Sequence, residues 1–167
     1  MKTLSARFLV VAAIAAVMSA SARAQEGGIA VGAEAPSVHV MTLDGKAMEL
    51  AQFYDGKPVV LEFWATWCPL CKQLEPAMRA ARERHAGTVT FVGIGVNANQ
   101  TADAQHAFID KQHMTGTYVF DAEGAATKAF SVPHTSYVVV IDRSRKVVYT
   151  GVGGSQDIEA ALKKAGI

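Results

Sequence analysis
The chain has 167 residues, 50% of them hydrophobic and 19% charged, and its 16 basic and 15 acidic side chains give a formal net charge of +1. This length suits one domain with its own hydrophobic core. The balanced charge leaves no basic stripe that could meet phosphates, so we expect no nucleic-acid partner.

The start of the chain is typical of an export signal. A positive beginning at Lys2 precedes an almost wholly apolar stretch over residues 8–18, and a small-x-small cleavage site at residues 22–24 precedes Gln25. We therefore predict a signal peptide over residues 1–24 and a mature protein that is periplasmic or secreted. The alternative is an uncleaved anchor, but the apolar stretch is shorter than the ~20 residues that span a bilayer, so we expect no stable membrane span after cleavage.

The mature chain is predicted to begin with a small, Gly-rich and flexible leader over residues 25–35, followed by a single domain over residues 36–167. Alternating apolar residues and the Asp44-Gly45 turn predict an N-terminal β-hairpin. The next predicted elements are a short helical turn at 51–56 and a central, continuously apolar strand at 58–64, which is typical of a strand covered on both faces.

The remaining segments alternate between helical and strand patterns. They predict a helix that ends near Gly87, a strand at 88–96, a helix at 102–113, a strand at 117–120, a short helix at 125–130, strands at 137–141 and 147–149, and a last helix capped by Ser155. A parallel strand–helix–strand beginning with a closing antiparallel hairpin predicts an α/β fold, with a central mixed sheet and helices on both faces.

The only two cysteines, Cys68 and Cys71, lie where the central strand passes into a helix. Pro69 suits the first helical position, so Cys68 should cap the helix and face the positive end of its dipole. In that setting the pKa of a Cys-x-x-Cys thiol falls from ~8.5 to between ~3.5 and ~7.5, which favours the nucleophilic thiolate. Cys71 lies one turn later, close enough to form a disulfide and release a mixed-disulfide partner.

Two other interpretations of the cysteine pair are half of a zinc site and a purely structural bridge. Zinc normally needs four ligands, and the chain has no second Cys-x-x-Cys. A structural bridge would gain more by closing a longer loop. Because a cysteine pair outside the cytosol can be oxidised, we favour redox chemistry.

The stretch Phe63-Trp64-Ala65-Thr66-Trp67-Cys68-Pro69-Leu70-Cys71 resembles the centre of the thioredoxin superfamily, specifically the exported TlpA/ResA-type thiol–disulfide oxidoreductases. The resemblance covers about residues 31–165. Pro76 matches the helix-kinking proline of that fold, and the segment 121–130 resembles the additional element of the TlpA branch.

The resemblance implies a thioredoxin-like enzyme that reduces disulfides, or cytochrome and copper-site thiols, in the periplasm. Cys68 would attack, and Cys71 would resolve the mixed disulfide. We expect protein disulfide or dithiol substrates, an upstream electron donor, no organic cofactor, no bound metal and a monomeric state.

Glu62 lies six residues before Cys68, where thioredoxins carry a buried acid. In a strand it should point under the following helix, toward Cys71. A buried carboxyl has a raised pKa, which suits a base that takes the proton from the resolving thiol. The alternative is a partly hydrated acid paired with a lysine such as Lys57.

The loop that faces the cysteines departs from the family pattern. Relatives have a cis-proline six residues before the Asp that ends the next strand, and here that position is Ser136. Either Pro133 is the cis residue, or the loop has no proline at that place. A cis bond at Ser136 would cost ~2.5–4 kcal/mol, so we expect it to be trans. The predicted substrate-binding residues are Trp67, Pro69, Pro133, His134 and Thr135.

His134 provides a second hypothesis, because the segment 132–135 resembles a segment of Sco-type copper proteins. There a histidine joins two cysteines on copper, and such ligands suit that metal. Sco proteins, however, separate their cysteines by three residues, and here the gap is two. A peroxiredoxin is not indicated, since the positions of its threonine and proline are Ala65 and Leu61 here.

Overall fold
The structure is a computed structural model that describes residues 27–167, so the predicted signal peptide lies outside the described residues. Within these residues one sheet of seven strands has the order β2-β1-β5-β4-β3-β6-β7. The strands are β1 His39–Thr42, β2 Ala47–Glu49, β3 Val59–Trp64, β4 Thr90–Val96, β5 Thr117–Asp121, β6 Tyr137–Ile141 and β7 Val147–Val152.

Four α-helices and a short 3-10 helix surround the sheet in the described part of the chain. The 3-10 helix is Leu50–Phe53, and the α-helices are α1 Pro69–Arg84, α2 Ala102–Lys111, α3 Ala125–Ala129 and α4 Ile158–Lys163.

The sheet is mixed, as predicted. Strands β3, β4 and β5 run parallel to one another, whereas β6 and β7 on one side and β1 and β2 on the other are antiparallel to their neighbours. All six residues of β3 are buried, in agreement with its continuous apolar sequence and its central position. The N-terminal hairpin is β1–β2, and its turn contains Gly45 at φ +84°.

Helices cover both faces of this sheet. On one face, Leu74 of α1 and Ile158 of α4 pack in one hydrophobic cluster with Val60 of β3. On the other face, the ring of Phe63 lies 5.4 Å from the ring of Phe130, at the end of α3. Since Val60 and Phe63 are three residues apart in β3, the alternation of the strand separates the two layers.

The segment before β1 differs from the prediction of a flexible leader. The Gly32 amide donates to the Val147 carbonyl (2.8 Å), and the Val147 amide donates to the Ala33 carbonyl (2.9 Å). The Ala35 amide donates to the Arg145 carbonyl (2.8 Å). This part of the predicted leader therefore lies along the start of β7, because its backbone pairs there even though its small side chains add little packing.

The last helix begins two residues later than predicted. Asp157 caps α4, and its carboxylate accepts the Ala160 amide at 2.9 Å. Ser155 instead accepts the side-chain amide of Gln73 at 3.2 Å, which ties the loop before α4 to α1. No helix within residues 27–167 is long and apolar enough to cross a membrane.

Candidate active site
The two cysteines form a disulfide at the beginning of α1, with their Cα atoms 5.3 Å apart. Cys68 is the N-cap and Pro69 follows at the first helical position, as predicted. The Cys71 amide donates to Cys68 Sγ over 3.0 Å. The sulfur of Cys68 thus accepts a hydrogen bond from the helix N-terminus, which is the arrangement that stabilises a thiolate when the disulfide is opened.

The loop before Cys68 is held by the loop that follows β4. The Thr66 amide donates to Gln100 Oε1 (2.9 Å), and Gln100 Nε2 donates to the Val96 carbonyl (2.6 Å). The indole of Trp67 donates to the Ala98 carbonyl (2.9 Å). Gln100 belongs to no motif in the sequence, but the carboxyl ends of parallel strands meet at one edge of a sheet, and that rule could have indicated this contact.

Exposed apolar side chains flank the disulfide. Trp67 is 46% exposed and Leu70 is 42% exposed, whereas Cys68 and Cys71 are buried in the disulfide form. Large exposed apolar side chains that border a reactive group are typical of an interaction surface. Trp67 therefore has a free face beside the cysteines, while Trp64, only 3% exposed, belongs to the core.

A cavity of about 290 Å³ lies beside the disulfide, between α1 and α2. Of the two cysteines, Cys71 is the one that lines it. The other lining residues are Glu62, Trp64, Ala65, Lys72, Glu75, Pro76, Arg79, Phe108, Gln112 and Met114. A cavity of this volume with charged walls is roomy enough for several water molecules.

Glu62 lies at the base of this cavity on β3, on the side of Cys71 as predicted. Its pKa is raised from 4.5 to about 8; burial is the main cause, the nearby Glu75 carboxylate acts in the same direction, and Arg82 opposes the shift. The alternative pairing with Lys57 does not occur, because Lys57 lies 3.8 Å from Asp55. At neutral pH the Glu62 carboxyl is therefore mainly protonated in the disulfide form.

Two arginines on α1 surround Glu75. Glu75 Oε1 lies 3.4 Å from Arg79 Nε and 3.8 Å from Arg82 Nη1. Arg82 Nε and Nη1 are buried and have no hydrogen-bond partner. Burial also raises the pKa of Tyr118, which shares this charged environment, to about 12. A charged residue on an amphipathic helix is expected to face water, so this buried charge was missed in the sequence.

The loop on the opposite side of β3 contains Ser136, which is completely buried and has φ +61°. Its amide donates to the Phe63 carbonyl at 2.8 Å, and its hydroxyl donates to the Gly153 carbonyl at 3.1 Å. There is no cis peptide bond within residues 27–167. Pro133 is therefore not a cis residue, and the peptide bond at Ser136 is trans as expected.

The other predicted loop residues lie just before Ser136. His134 is exposed, and Pro133 and Thr135 are half-buried. Pro133 contacts the leader, because a Cβ placed on Gly27 would lie only 2.8 Å from its Cβ. In the part of the chain that the structure describes, no three His, Cys, Asp or Glu side chains are grouped so that they could hold a metal ion. His134 is therefore in no such group with Cys68 and Cys71.

Comparisons with known proteins agree with this geometry. The family model described as Redoxin matches residues 30–165. The chain is 30% identical to the thioredoxin-like protein YneN of Bacillus subtilis over 141 residues, covering 83% of this chain and 82% of that protein. It is also 30% identical to the thiol-disulfide oxidoreductase ResA of Bacillus thuringiensis subsp. konkukian over 142 residues, covering 84% and 81%.

Among solved structures, the fold is similar to that of a secreted Mycobacterium tuberculosis disulfide oxidoreductase homologous to E. coli DsbE. The TM-score is 0.64 at 26% sequence identity, and the match covers 78% of this chain and 96% of that chain. The fold and the Cys-Pro-Leu-Cys disulfide define a thioredoxin-like thiol–disulfide oxidoreductase. The chain belongs to the Redoxin family.

Proposed function
We propose that this protein is exported and exchanges disulfides with protein substrates through Cys68 and Cys71. The observation that carries the proposal is the position of Cys68 Sγ as N-cap of α1, 3.0 Å from the Cys71 amide. An anionic sulfur is stabilised there in both the reduced protein and the leaving step, and a stabilised thiolate is both the attacking and the departing group in disulfide exchange.

In the reducing direction, the Cys68 thiolate attacks a substrate disulfide, forms a mixed disulfide and releases one substrate thiolate. Cys71 then loses its proton and attacks Cys68 Sγ. The bond between Cys68 and the substrate breaks, the second substrate sulfur leaves with the electron pair, and the Cys68–Cys71 disulfide forms. The substrate disulfide is reduced to two thiols, and an upstream thiol donor reduces the protein again.

Glu62 is the acid–base group in this proposal. Its carboxylate takes the proton that Cys71 must lose, and the raised pKa keeps that proton on Glu62 once the disulfide has formed. In the reverse direction, the same proton returns to the Cys71 sulfur as it leaves. The cavity that Glu62 and Cys71 share gives this proton access to water.

The surface beside the disulfide favours a polypeptide substrate. Trp67 and Leu70, next to the buried cysteines in the chain, offer exposed apolar area, and Pro133 to Thr135 lie on the loop at the same end of the sheet. Export is supported by the signal pattern of residues 1–24 and by the similarity to an oxidoreductase described as secreted.

The test is to trap the mixed disulfide. With the Cys71→Ala variant, the attack by Cys68 should occur but the resolving step should not, so a mixed disulfide between Cys68 and an insulin chain should accumulate when native insulin, with its disulfides intact, is the substrate. The complex should be visible on a non-reducing gel and disappear with dithiothreitol. Trapping in the periplasm of a bacterial host would also identify the physiological partner.

The matched control is Cys68→Ser, which keeps the helix cap as a hydroxyl but removes the nucleophile. Insulin reduction by this variant should equal the uncatalysed rate. Turnover that survives Cys68→Ser, or a covalent complex formed through the other cysteine, would contradict the assigned roles.

A further inference from the structure
The buried backbone of Ser136 is held by a small polar cluster, which we define as Ser136, Tyr149, Gly153 and Gln156. The side-chain amide of Gln156 donates to the carbonyl of Ser136 at 3.0 Å and to the carbonyl of Gly153 at 2.8 Å. Tyr149 Oη donates to Gln156 Oε1 at 3.1 Å. One glutamine side chain therefore joins the beginning of β6 to the end of β7.

Ser136 and Gly153 of this cluster are also joined directly by two hydrogen bonds. The Gly153 amide donates to the Ser136 carbonyl (3.1 Å), and the Ser136 hydroxyl donates to the Gly153 carbonyl (3.1 Å). Both carbonyls thus accept two hydrogen bonds, one of them from Gln156. A residue held at φ +61° without being glycine is strained, and it persists only where its surroundings fix it.

This cluster lies at the end of the sheet that carries the disulfide. The Ser136 amide bonds to Phe63, which lies five residues before Cys68 on β3. On the other side, Gly154 and Ser155 contact Gln73, which lies two residues after Cys71 on α1. The segment 133–135 ends directly at Ser136, so the cluster fixes the C-terminal end of this segment relative to β3, the strand that leads to Cys68.

We propose that Gln156 is a positioning residue for the protein substrate: by holding the carbonyls of Ser136 and Gly153, it fixes residues 133–135 in the place where a substrate polypeptide lies during the mixed disulfide. This inference rests on the proposed function. It concerns the docking of a polypeptide and not the reaction of the sulfurs, since Gln156 contacts neither cysteine.

This role of Gln156 predicts that the effect of losing its side-chain amide depends on the size of the substrate. A polypeptide disulfide must lie against the segment 133–135 as well as against Cys68, whereas a small disulfide needs only the sulfur. Loss of the Gln156 amide should therefore weaken the use of a protein substrate and leave the reaction with a small one unchanged. A merely structural role would affect both substrates together.

The experiment compares Gln156→Met with wild type, with insulin and with hydroxyethyl disulfide as substrates. Methionine has a similar shape but donates no hydrogen bond, so the KM for insulin should rise about tenfold with kcat changed little. The kcat/KM for hydroxyethyl disulfide should stay within about twofold. Tyr149→Phe, which removes only the bond that orients Gln156, should give a smaller rise in the KM for insulin.

The matched control is Gln73→Met, which removes a glutamine contact to the same loop, at Ser155, without touching Ser136. Its KM for insulin should stay within about twofold of wild type. Amide hydrogen exchange supplies a second readout, because the Ser136 amide should exchange faster in Gln156→Met and not in Gln73→Met.

Equal losses with both substrates, or no change in the KM for insulin, would overturn this inference while leaving the proposed function intact. If Gln156→Met fails to fold, the KM values of Tyr149→Phe decide the matter in the same way. Failure of the proposed function is a different result: wild type would then reduce insulin no faster than Cys68→Ser.

Discussion

The two sides of the disulfide are built differently. On the cavity side, Glu62 and Glu75 face a space of about 290 Å³, and Arg82 has buried nitrogen atoms without hydrogen-bond partners. On the loop side, Ser136 is completely buried, and its amide, hydroxyl and carbonyl are all hydrogen-bonded, with Gln156 donating to that carbonyl.

The difference separates two physical tasks. Burial disfavours the charged form of the Glu62 carboxyl and brings its pKa close to neutral pH, and the neighbouring charges shift that pKa in either direction. Backbone groups that are fully paired stay fixed, because any movement would break several buried bonds at once. The cavity side is therefore suited to moving a proton to and from Cys71, and the loop side is suited to holding the chain in place.

The largest expected effect concerns the pH dependence of stability on the cavity side. Glu62 has a pKa of about 8 in the folded protein against 4.5 in a model compound, so folding favours its protonated form. The stability that this gives is complete below about pH 4.5 and is lost as the pH rises through about 8. We expect the free energy of unfolding of the oxidised protein to fall by up to about 4 kcal/mol over this interval.

Urea unfolding of oxidised wild type and Glu62→Gln at several pH values provides the measurement. The glutamine variant should show no such fall, because it carries no ionisable group at this position. Lowered pKa values at Asp44 and Glu159 do not interfere, since the stability they give is lost only as the pH falls below their ordinary values. A wild-type protein whose stability stays constant between pH 5 and 8 would remove the proton role assigned to Glu62.

The next effect concerns the loop side. Proline at position 136 would restore the residue that thioredoxin-like relatives carry, yet here Ser136→Pro should destabilise the protein by about 3 kcal/mol. The ring fixes φ near −65°, whereas Ser136 has φ +61°, and the hydrogen bond from its amide to Phe63 would be lost.

Ser136→Gly is the control for this prediction, because glycine keeps the amide and adopts positive φ at little cost. It loses only the hydroxyl bond to Gly153, so its free energy of unfolding should stay within about 1 kcal/mol of wild type. Equal stability of the proline and glycine variants in urea would show that neither the amide bond nor the left-handed backbone contributes.

The sequence predicted the fold well where side chains carry a pattern. The apolar run of β3, the Asp44-Gly45 turn and the cap at Cys68 all appear in the structure. The docking of residues 32–35 on β7 was missed because backbone hydrogen bonds made by small residues leave no periodicity. The predicted cap at Ser155 was wrong: Asp157 caps α4, and Ser155 accepts the side-chain amide of Gln73 instead.

The site was predictable only in part. The resemblance to thioredoxins, which carry a buried acid at this position, and the strand assignment together placed Glu62 under α1 on the side of Cys71, where it lies. Arg82 was missed because a charged residue on an amphipathic helix normally faces water, whereas this side chain is only 16% exposed. Gln100 and Gln156 were missed because glutamine has no characteristic spacing, and their importance comes from carbonyls that only the folded chain brings near them.

The smallest expected effect is a shift in the pKa of Glu62 when a neighbouring charge is removed. The direction of this shift is the informative result. The Glu75 carboxylate raises the pKa of Glu62 and the Arg82 guanidinium lowers it. Glu75→Gln should therefore move the Glu62 titration below about pH 8, and Arg82→Met should move it above, as followed by the carboxyl carbon resonance in the oxidised protein. Because the cavity is roomy enough for water to screen both charges, each shift should be small compared with the effect of burial.

Shifts of opposite sign are expected only if charge governs the cavity side. If instead packing of α1 on β3 sets the pKa of Glu62, both variants loosen the same helix, admit more water and shift the titration downward together. Arg82→Met is the decisive variant, because loss of a cation and loss of packing act in opposite directions there. A downward shift of the Glu62 pKa in Arg82→Met would mean that burial alone raises this pKa. The neighbouring charges would then contribute nothing to the difference between the cavity side and the loop side of the disulfide.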